Sequence, residues 1–343
     1  GNSKGKSFGK KGFDIKDCIL DSDGGHGPDG CMDPYRQPEA SFYTIREVWS
    51  PIYIDRLHVN PSFNGRVLVS NRYLFTHFNE CNMKFLVKTL NGKILSEGWV
   101  KLPDIEPGES GYAQIDLPTN FKQGDILELI AYNKGEEVCN WTAPIHRADE
   151  QIIAPQSASN KSIVAFNEQG MLSIDGMTGP FPVGLKVEVK NHKQYTEADG
   201  TQVNTFWYKG GIDSIQWRQT PDGLLHMNAV ILNDERGHGY GGNFYTEDSK
   251  WTIGLSFNYP EEQVDSVHWV GRGPYRVWRN RLKGQDFGMW SLAYNNTKTG
   301  DYNSPTPPLY PEFKGYRSDM RWMELQNKNG KSIRVHTLNE GLY

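Results

Sequence analysis

A glycine-rich polar segment at residues 234–243 holds the first side chains that could contact a ligand. It reads Asp-Glu-Arg-Gly-His-Gly-Tyr-Gly-Gly-Asn, and glycines flank both His238 and Tyr240. Glycine lets a backbone approach a bound molecule closely, and an imidazole and a phenol can both hydrogen-bond to hydroxyl groups. The spacing differs from that of a phosphate-binding loop. The segment is therefore a candidate sugar-contacting loop, and its alternative interpretation is a long connection between strands.

A second candidate is a cluster of arginines around one tryptophan. Arg272, Arg276, Arg279 and Arg281 surround Trp278. Guanidinium groups donate paired hydrogen bonds to carboxylates, and aromatic rings stack on the CH groups of sugars. The cluster is thus a candidate for contact with carbohydrate, although the favoured interpretation is the following alternative. The alternative is an interdomain seam, in which the arginines pair with acids of another domain.

No catalytic residue is predicted from the acidic side chains. The two acidic pairs, Glu247 with Asp248 and Glu261 with Glu262, are adjacent in sequence. Neighbouring side chains of a strand point to opposite faces of the sheet, and in turns both are usually solvated. Neither pair is therefore predicted to form a positioned acid and base.

The sequence also predicts no metal site and no cofactor. The stretch 21–29 is rich in Asp and Gly but lacks the later ligands of a calcium-binding loop. The cysteines Cys18, Cys31, Cys81 and Cys139 include no CxxC pair, so a zinc site is not indicated. Cys18 and Cys31 could bridge a loop, although free or buried thiols are the favoured interpretation.

Charge and hydropathy exclude several classes of partner. The 343-residue chain has a formal net charge of −4 with scattered basic residues, which argues against nucleic-acid binding. No run of about 18 apolar residues predicts a membrane span. The chain starts without a methionine or a signal peptide, so its first residues do not indicate a compartment.

The pattern of the chain is almost entirely that of β-strands. Short runs alternate apolar and polar residues, which is typical of half-buried antiparallel strands. Asn91-Gly92, Asp222-Gly223 and Asn329-Gly330 favour hairpin turns, and residues 40–48 predict one helical turn. The absence of strand–helix alternation excludes a parallel sheet. Strands are predicted at residues 52–59, 66–71, 83–89, 126–132, 185–190, 204–209, 212–218, 224–231, 252–258, 321–326 and 332–337.

Changes in composition divide the chain into three parts. Residues 1–44 are rich in Gly, Lys, Asp and Pro and predict an irregular lead-in. Residues 45–148 have the size of an immunoglobulin-like sandwich. A polar stretch then precedes a larger block, residues 155–343. We therefore predict an all-β protein with two successive antiparallel sandwiches.

Three groups of motifs occur in order along the chain and point to a known family. Residues 29–40 read Asp-Gly-Cys-Met-Asp-Pro-Tyr-Arg-Gln-Pro-Glu-Ala, and residues 48–52 read Val-Trp-Ser-Pro-Ile. Residues 70–79 read Ser-Asn-Arg-Tyr-Leu-Phe-Thr-His-Phe-Asn, and residues 270–281 begin Val-Gly-Arg-Gly-Pro-Tyr. Together they resemble the region that follows the catalytic barrel in family 2 β-galactosidases. Two departures are Tyr35, where the family usually has Asp, and residues 276–280, which replace Glu-Asn-Tyr-x-Asp.

The resemblance implies a fold and a role for each block. Residues 1–44 would be the lead-in from the end of the catalytic barrel, and residues 45–148 the immunoglobulin-like domain after it. Residues 155–343 would be a C-terminally incomplete small-chain super-sandwich of the galactose mutarotase-like class. The family cleaves β-linked sugars with retention, using two barrel carboxylates that precede this region.

The resemblance therefore implies a non-catalytic accessory region of an enzyme of carbohydrate metabolism. It would support the missing barrel, shape the carbohydrate cleft, be inactive alone and form part of a possible oligomer. Sodium or magnesium ions are often used at the barrel of the full-length family, and none of their ligands maps onto this chain. A periplasmic or secreted location is favoured for such a glycan-degrading enzyme.

Three alternative functions remain open from the sequence. A free-standing carbohydrate-binding module predicts a groove lined by exposed aromatic residues. A mutarotase-like sugar enzyme requires a histidine and a carboxylate over one sugar, and no partner can be named for His192, His226, His238 or His268. A purely structural domain predicts an apolar contact surface without ligand-binding side chains.

Overall fold

The computed structural model describes residues 40–145, 163–232, 254–274, 282–292 and 317–338, with short pieces at 2–3, 6–7, 31–32, 36 and 38. These residues form antiparallel sheets and one α-helix, α1 (Ala40–Val48). The predicted all-β class is confirmed, as is the helical turn at residues 40–48. Among the described residues, no helix is long and apolar enough to cross a membrane.

The chain forms two compact units. Unit 1 contains Gly1–Ile153 together with Val264–Tyr343, and unit 2 contains Ala154–Gln263. The last strands are thus grouped with the N-terminal half. The predicted division into domains at residues 148–155 stays a prediction.

A sandwich of two sheets forms the first part of unit 1. The three-stranded sheet has the order β3-β4-β7 and the four-stranded sheet the order β6-β5-β8-β9. Val67 and Val69 are buried whereas Leu68 between them is exposed, because successive strand residues point to opposite faces. Both sheets contribute to one core. The strands before and within the sandwich are β1 (Asn2–Ser3), β2 (Lys6–Ser7), β3 (Ile52–Tyr53), β4 (Arg66–Asn71), β5 (Cys81–Lys88), β6 (Ile94–Trp99), β7 (Ser110–Gln114), β8 (Ile126–Asn133) and β9 (Glu136–Pro144).

The second part of unit 1 is a four-stranded sheet of order β19-β18-β20-β21. Val270, Phe287 and Trp322 from this sheet pack with Ile126 of β8 and with Leu90. The sheet therefore shares a small apolar core with the sandwich. Its strands are β18 (Val264–Gly273), β19 (Asp286–Leu292), β20 (Trp322–Asn327) and β21 (Ser332–His336).

Unit 2 contains two further four-stranded antiparallel sheets. Their strand orders are β10-β11-β12-β17 and β13-β14-β15-β16. Leu172 and Phe206, together with Ile215 and Trp217, are buried in a core shared by the two sheets. The strands are β10 (Ala165–Phe166), β11 (Leu172–Ile174), β12 (Met177–Val183), β13 (Val187–Thr196), β14 (Gln202–Gly210), β15 (Ile212–Gln219), β16 (Leu225–Ile231) and β17 (Gly254–Asn258).

Two predicted strands differ most from those observed. The strand predicted at residues 52–59 ends at Tyr53, yet Leu57 and Val59 are still buried. An irregular segment can bury alternate residues as a strand does, so periodicity does not separate the two. The strand predicted at residues 185–190 begins at Val187 and extends to Thr196, because polar residues continue its pairing with β14.

Candidate functional site

Arg272 is the predicted site residue that the structure describes. It lies in β18, and its side chain is largely buried. Its Nε donates to Asp319 Oδ2 at 2.6 Å, and its Nη1 donates to the carbonyl of Gln285 at 3.0 Å. The guanidinium group thus joins the segments that lead into β19 and β20. The partner of Arg272 is an acid of this same chain, which is a contact within unit 1.

Arg272 lines a cleft in unit 1 with a volume of about 290 Å³. The walls come from α1, from the segment after β3, from β9 and from the turn before β19. Both signs of charge line it, and the charged groups include Arg46, Glu47, Lys283 and Asp286. We call this space the seam cleft, because it lies between the sandwich and the sheet β18–β21.

One group of contacts ties the turn before β19 to α1. Lys283 Nζ is 3.3 Å from Glu47 Oε1 and donates to the carbonyl of Asp55 at 2.8 Å. The backbone N–H of Gly284 donates to Glu47 Oε2, and Thr44 Oγ1 donates to the carbonyl of Lys283 at 3.1 Å. Glu47 therefore holds both a side chain and a backbone group of the turn.

A second group of contacts ties β9 to β19. Asn140 Nδ2 donates to the two carboxylate oxygens of Asp286 at 3.0 and 3.2 Å, and Thr142 Oγ1 donates to Oδ1 at 3.2 Å. Arg46 Nη2 donates to Asn140 Oδ1 at 2.6 Å, and the N–H of Phe287 donates to Thr142 Oγ1 at 2.7 Å. Strand alternation accounts for this arrangement, because residues 140 and 142 face away from the sandwich core that Cys139 and Trp141 enter.

The chemistry of the seam cleft follows from these pairings. Glu47 is engaged by Lys283, Asp286 by Asn140 and Thr142, and Asp319 by Arg272. Carboxylates that accept hydrogen bonds from fixed partners hold two parts of a fold together. Among the residues that the structure describes, no group of three or more His, Cys, Asp or Glu side chains could hold a metal ion. The seam cleft is therefore suited to stabilising unit 1.

Cys139 is one of the residues along the seam cleft, and its thiol is buried in the sandwich core. Burial, with a smaller contribution from the negative charge of Glu47, raises the pKa of Cys139 to about 11. The reactive form of cysteine is the thiolate, so this thiol is protonated and weakly nucleophilic at neutral pH. The cysteines described as free are Cys31, Cys81 and Cys139.

Alkylation of Cys139 at pH 8 is expected to be about 100-fold slower in the folded chain than in unfolded protein. The factor is the ratio of thiolate fractions for a pKa of about 11 and the ordinary value of 9.0. Peptide mapping after timed treatment with iodoacetamide measures it. The same peptide labelled in denaturant is the control, and equal rates in the two states would contradict the assignment.

The other predicted site residues lie outside the described part of the chain. They are His238, Tyr240, Arg276, Trp278 and Arg279. Their predicted roles in facing carbohydrate or another domain stay predictions.

A histidine and a carboxylate do come together in the sheet β18–β21. His268 of β18 and Glu324 of β20 are register partners, a pairing that the sequence alone did not indicate. Glu324 is buried, and its oxygens accept from Arg334 Nε at 2.6 Å and from Gln326 Nε2 at 3.1 Å. His268 Nε2 is 3.2 Å from Ser266 Oγ. The carboxylate is thus held by an arginine, which does not favour the mutarotase-like alternative.

Sequence reasoning missed a second cavity, which lies in unit 2. It has a volume of about 340 Å³, and β13, β14 and β15 supply most of its polar walls. The sequence signal that could have revealed this cavity is the presence of polar residues at core-facing positions of neighbouring strands. We call it the amide pocket; its side chains include His192, Gln194, Gln202, Asn204, Trp217 and Gln219.

Comparison with known proteins assigns the family. The family model described as beta galactosidase small chain matches residues 128–340, which is more than half of the chain. The chain belongs to the β-galactosidase small chain family. A curated β-galactosidase from Pseudoalteromonas haloplanktis is 31% identical over 75 residues, which cover 22% of this chain and 6% of that protein. The predicted resemblance to the C-terminal region of such enzymes is confirmed.

The likeness to a solved structure is weak. A β-glycosidase from Bacteroides vulgatus is 10% identical and aligns over 91% of this chain and 28% of that chain, with a TM-score of 0.17. This chain spans less than a third of that glycosidase.

The small-chain match covers only one side of the seam cleft. It begins at residue 128 inside β8, and includes Asn140, Thr142, Arg272 and Asp286. Helix α1 and strands β3–β7 lie before the match. The charged contacts of Glu47 and Arg46 therefore join the N-terminal segment to the part of the chain that defines the small-chain family.

Proposed function

We propose that this chain is a non-catalytic accessory region of a retaining β-galactosidase of family 2. In this role it supports a catalytic barrel and helps to wall the carbohydrate cleft. The observation that carries the proposal is the small-chain match over residues 128–340. Sugar cleavage and its substrate belong to the whole enzyme, and this chain contributes the scaffold.

The chemistry of the seam cleft supports a scaffold role. A retaining glycosidase needs two carboxyl groups about 5 Å apart on either side of the scissile bond. In the seam cleft, Glu47, Asp286 and Asp319 each accept hydrogen bonds from fixed partners of the same chain. A carboxylate engaged in this way is poorly placed to attack a sugar. The contacts suit a structural role better than a catalytic one.

An exposed apolar surface on α1 supports contact with another domain. Ile45, Val48 and Trp49 lie on and just after the helix, and Trp49 is 78% exposed. Contiguous exposed apolar side chains often mark an interaction site. We call this surface the α1 apolar face. The segment just before α1 resembles the chain that leaves the barrel in family 2 β-galactosidases, so we propose that the barrel covers this face.

The first test is hydrolysis of a nitrophenyl β-galactoside. We expect no turnover by the 343-residue chain and clear turnover by a chain extended at its N-terminus to include the proposed barrel. Activity of the 343-residue chain itself would overturn the proposal, because it would require a catalytic pair within these sheets.

A substitution in the extended protein tests the contact with the barrel. Trp49→Ser is expected to weaken docking by about 2 kcal/mol, the scale of burying one large apolar side chain, and to lower the temperature of half-inactivation. Trp99→Ser is the matched control, since Trp99 is 65% exposed and lies in β6. Equal effects of the two substitutions would argue against the α1 apolar face as the contact.

A further inference from the structure

We propose that the amide pocket of unit 2 is a binding site for one neutral sugar residue. The proposal concerns binding by this chain alone, so it does not depend on the proposed accessory role or on a catalytic barrel. Its volume of about 340 Å³ is in the range of small-molecule sites.

The register of the sheet brings the polar side chains of the amide pocket to one face. Gln194 pairs with Asn204, and Asn204 pairs with Trp217 across β13, β14 and β15. In the next row Gln202 pairs with Gln219. Residues that oppose each other in antiparallel strands project from the same face. The pocket is thus a set of amides placed by strand pairing around an aromatic side chain.

Asn204 is a buried amide of the pocket with a defined hydrogen-bond partner. It is 8% exposed, and its Oδ1 lies 3.2 Å from His192 Nε2. The His192 ring stacks on Phe206 with centroids 4.0 Å apart and planes 4° apart. When His192 Nε2 carries the proton, it donates to Oδ1, which leaves the Asn204 amide N–H groups for a ligand. Stacking on Phe206 therefore holds this polar pair in place before a ligand arrives, which lowers the entropic cost of binding.

Two exposed amides, Gln194 and Gln202, add groups that can both donate and accept. Gln194 and Gln202 are exposed, and neither side chain makes a hydrogen bond to another described residue. A carboxamide offers an acceptor oxygen and two donor hydrogens. A sugar hydroxyl likewise donates one hydrogen bond and accepts others. The wall of the pocket is therefore complementary to a ligand that carries several hydroxyl groups.

Trp217 gives the amide pocket an apolar element. Its ring lies 6.0 Å from Phe166 and 6.4 Å from Phe257, measured between centroids. Trp217 is only 4% exposed, so a small part of its ring reaches the pocket, where aromatic surface can pack against the CH groups of a sugar ring. The combination of amides with a fixed aromatic side chain suits a sugar better than it suits a purely apolar ligand.

The charge of the walls predicts which sugars bind. No Asp, Glu, Lys or Arg is among the described residues that line the amide pocket. The nearby ion pair of Glu197 and Arg218 belongs to the other face, because Arg218 lies between the pocket residues Trp217 and Gln219. A sugar carboxylate would therefore be desolvated without a cationic partner. The pocket should select neutral hexoses over uronic acids.

The experiment is a titration of the full 343-residue chain followed by side-chain amide NMR signals. Galactose, glucose, a β-linked galacto-oligosaccharide, glucuronate and glycerol would each be added up to about 50 mM. We expect a dissociation constant on the order of a few mM for a neutral sugar, with shifts at the amides of the pocket. Tighter binding of the oligosaccharide than of the free hexoses would identify a glycan chain as the source of the sugar residue, and equal binding would identify the free sugar.

Variants separate this site from weak binding elsewhere. The double substitution Gln194→Ala with Gln202→Ala is expected to weaken binding at least about tenfold, because it removes two amides. Both side chains are exposed, so the fold should persist. Asn228→Ala is the matched control, since Asn228 is an exposed amide on the opposite face of the same sheet.

Several outcomes would overturn the proposal. They are the absence of binding by every neutral sugar, equal binding of glucuronate or glycerol, and unchanged affinity of the double variant. Each of these outcomes can be measured without any hydrolysis assay. A failure here would leave the accessory role untouched, and loss of that role would leave this binding result intact.

Discussion

Replacing Trp269 with alanine is expected to lower the free energy of unfolding of unit 1 by about 3–5 kcal/mol. Trp269 lies in the middle of β18 and is completely buried. Truncation removes the apolar surface of the ring and leaves a cavity that the surrounding strands cannot fully close.

Two polar contacts of Trp269 add to the expected loss. Its Nε1 donates to the carbonyl of Arg272 at 3.2 Å, and the guanidinium carbon of Arg317 lies 4.4 Å from the ring centroid. Burial lowers the pKa of Arg317 to about 10, which indicates a cation in a desolvated place. A cation over an aromatic ring is stabilised more strongly when water is excluded. The substitution therefore also removes a favourable contact of the Arg317 charge.

Urea unfolding with separate probes for the two units measures this loss. Separate probes are needed because a chain with two compact units does not have to unfold in one step. Phe75→Ala is the control, because Phe75 is 94% exposed and such a side chain contributes little, about 0.5 kcal/mol. A loss below about 1 kcal/mol for Trp269→Ala would mean that the ring is not part of a close-packed core.

The buried face of a strand could be predicted because burial follows the alternation of neighbouring residues along the chain. The strand predicted at residues 66–71 coincides with β4 (Arg66–Asn71), where buried and exposed side chains alternate even though the exposed Leu68 is apolar. Four tryptophans lie on alternating strand patterns that predict core positions, and three of them, Trp217, Trp269 and Trp322, are buried. Trp207 of β14 is only partly buried. Alternation identifies which face of a strand is buried. Alternation does not identify which other strand will pair with a given strand.

The seam cleft was not predictable because its contacts join distant positions. Asp286 is 146 residues from Asn140, and Lys283 is 236 residues from Glu47. Neither pair has a local sequence signature. The arginine motif correctly drew attention to Arg272, but its partner Asp319 lies 47 residues away and was assigned by the sequence to no role.

The amide pocket shows the same limit within a single sheet. Gln194, Gln202 and Asn204 are ordinary polar strand residues when each is considered alone. Only the register between β13, β14 and β15 places them on one face with Trp217. Register depends on the whole set of strand pairs and turns. The residues of the pocket could therefore be read from the sequence, while their convergence could not.

A glycine-to-alanine substitution tests how closely the turn before β19 approaches α1. Gly284 has a φ of +77°, and a Cβ atom there would clash with the backbone of Tyr43 and Thr44. Gly284→Ala is expected to cost about 2–4 kcal/mol, from the left-handed backbone and from steric overlap together. The backbone N–H of Gly284 also donates to Glu47, so displacement of the turn would disturb that contact.

Gly330→Ala is a closely matched control for Gly284→Ala. Gly330 has the same φ of +77°, but a Cβ atom there would meet nothing within 4 Å. Its substitution should cost only about 1–2 kcal/mol, the price of the left-handed conformation alone. The difference in urea midpoint between the two variants therefore isolates the contact with α1. Equal losses would mean that α1 can move away from the turn, and that the Glu47 contacts do not hold the N-terminal segment against the small-chain region.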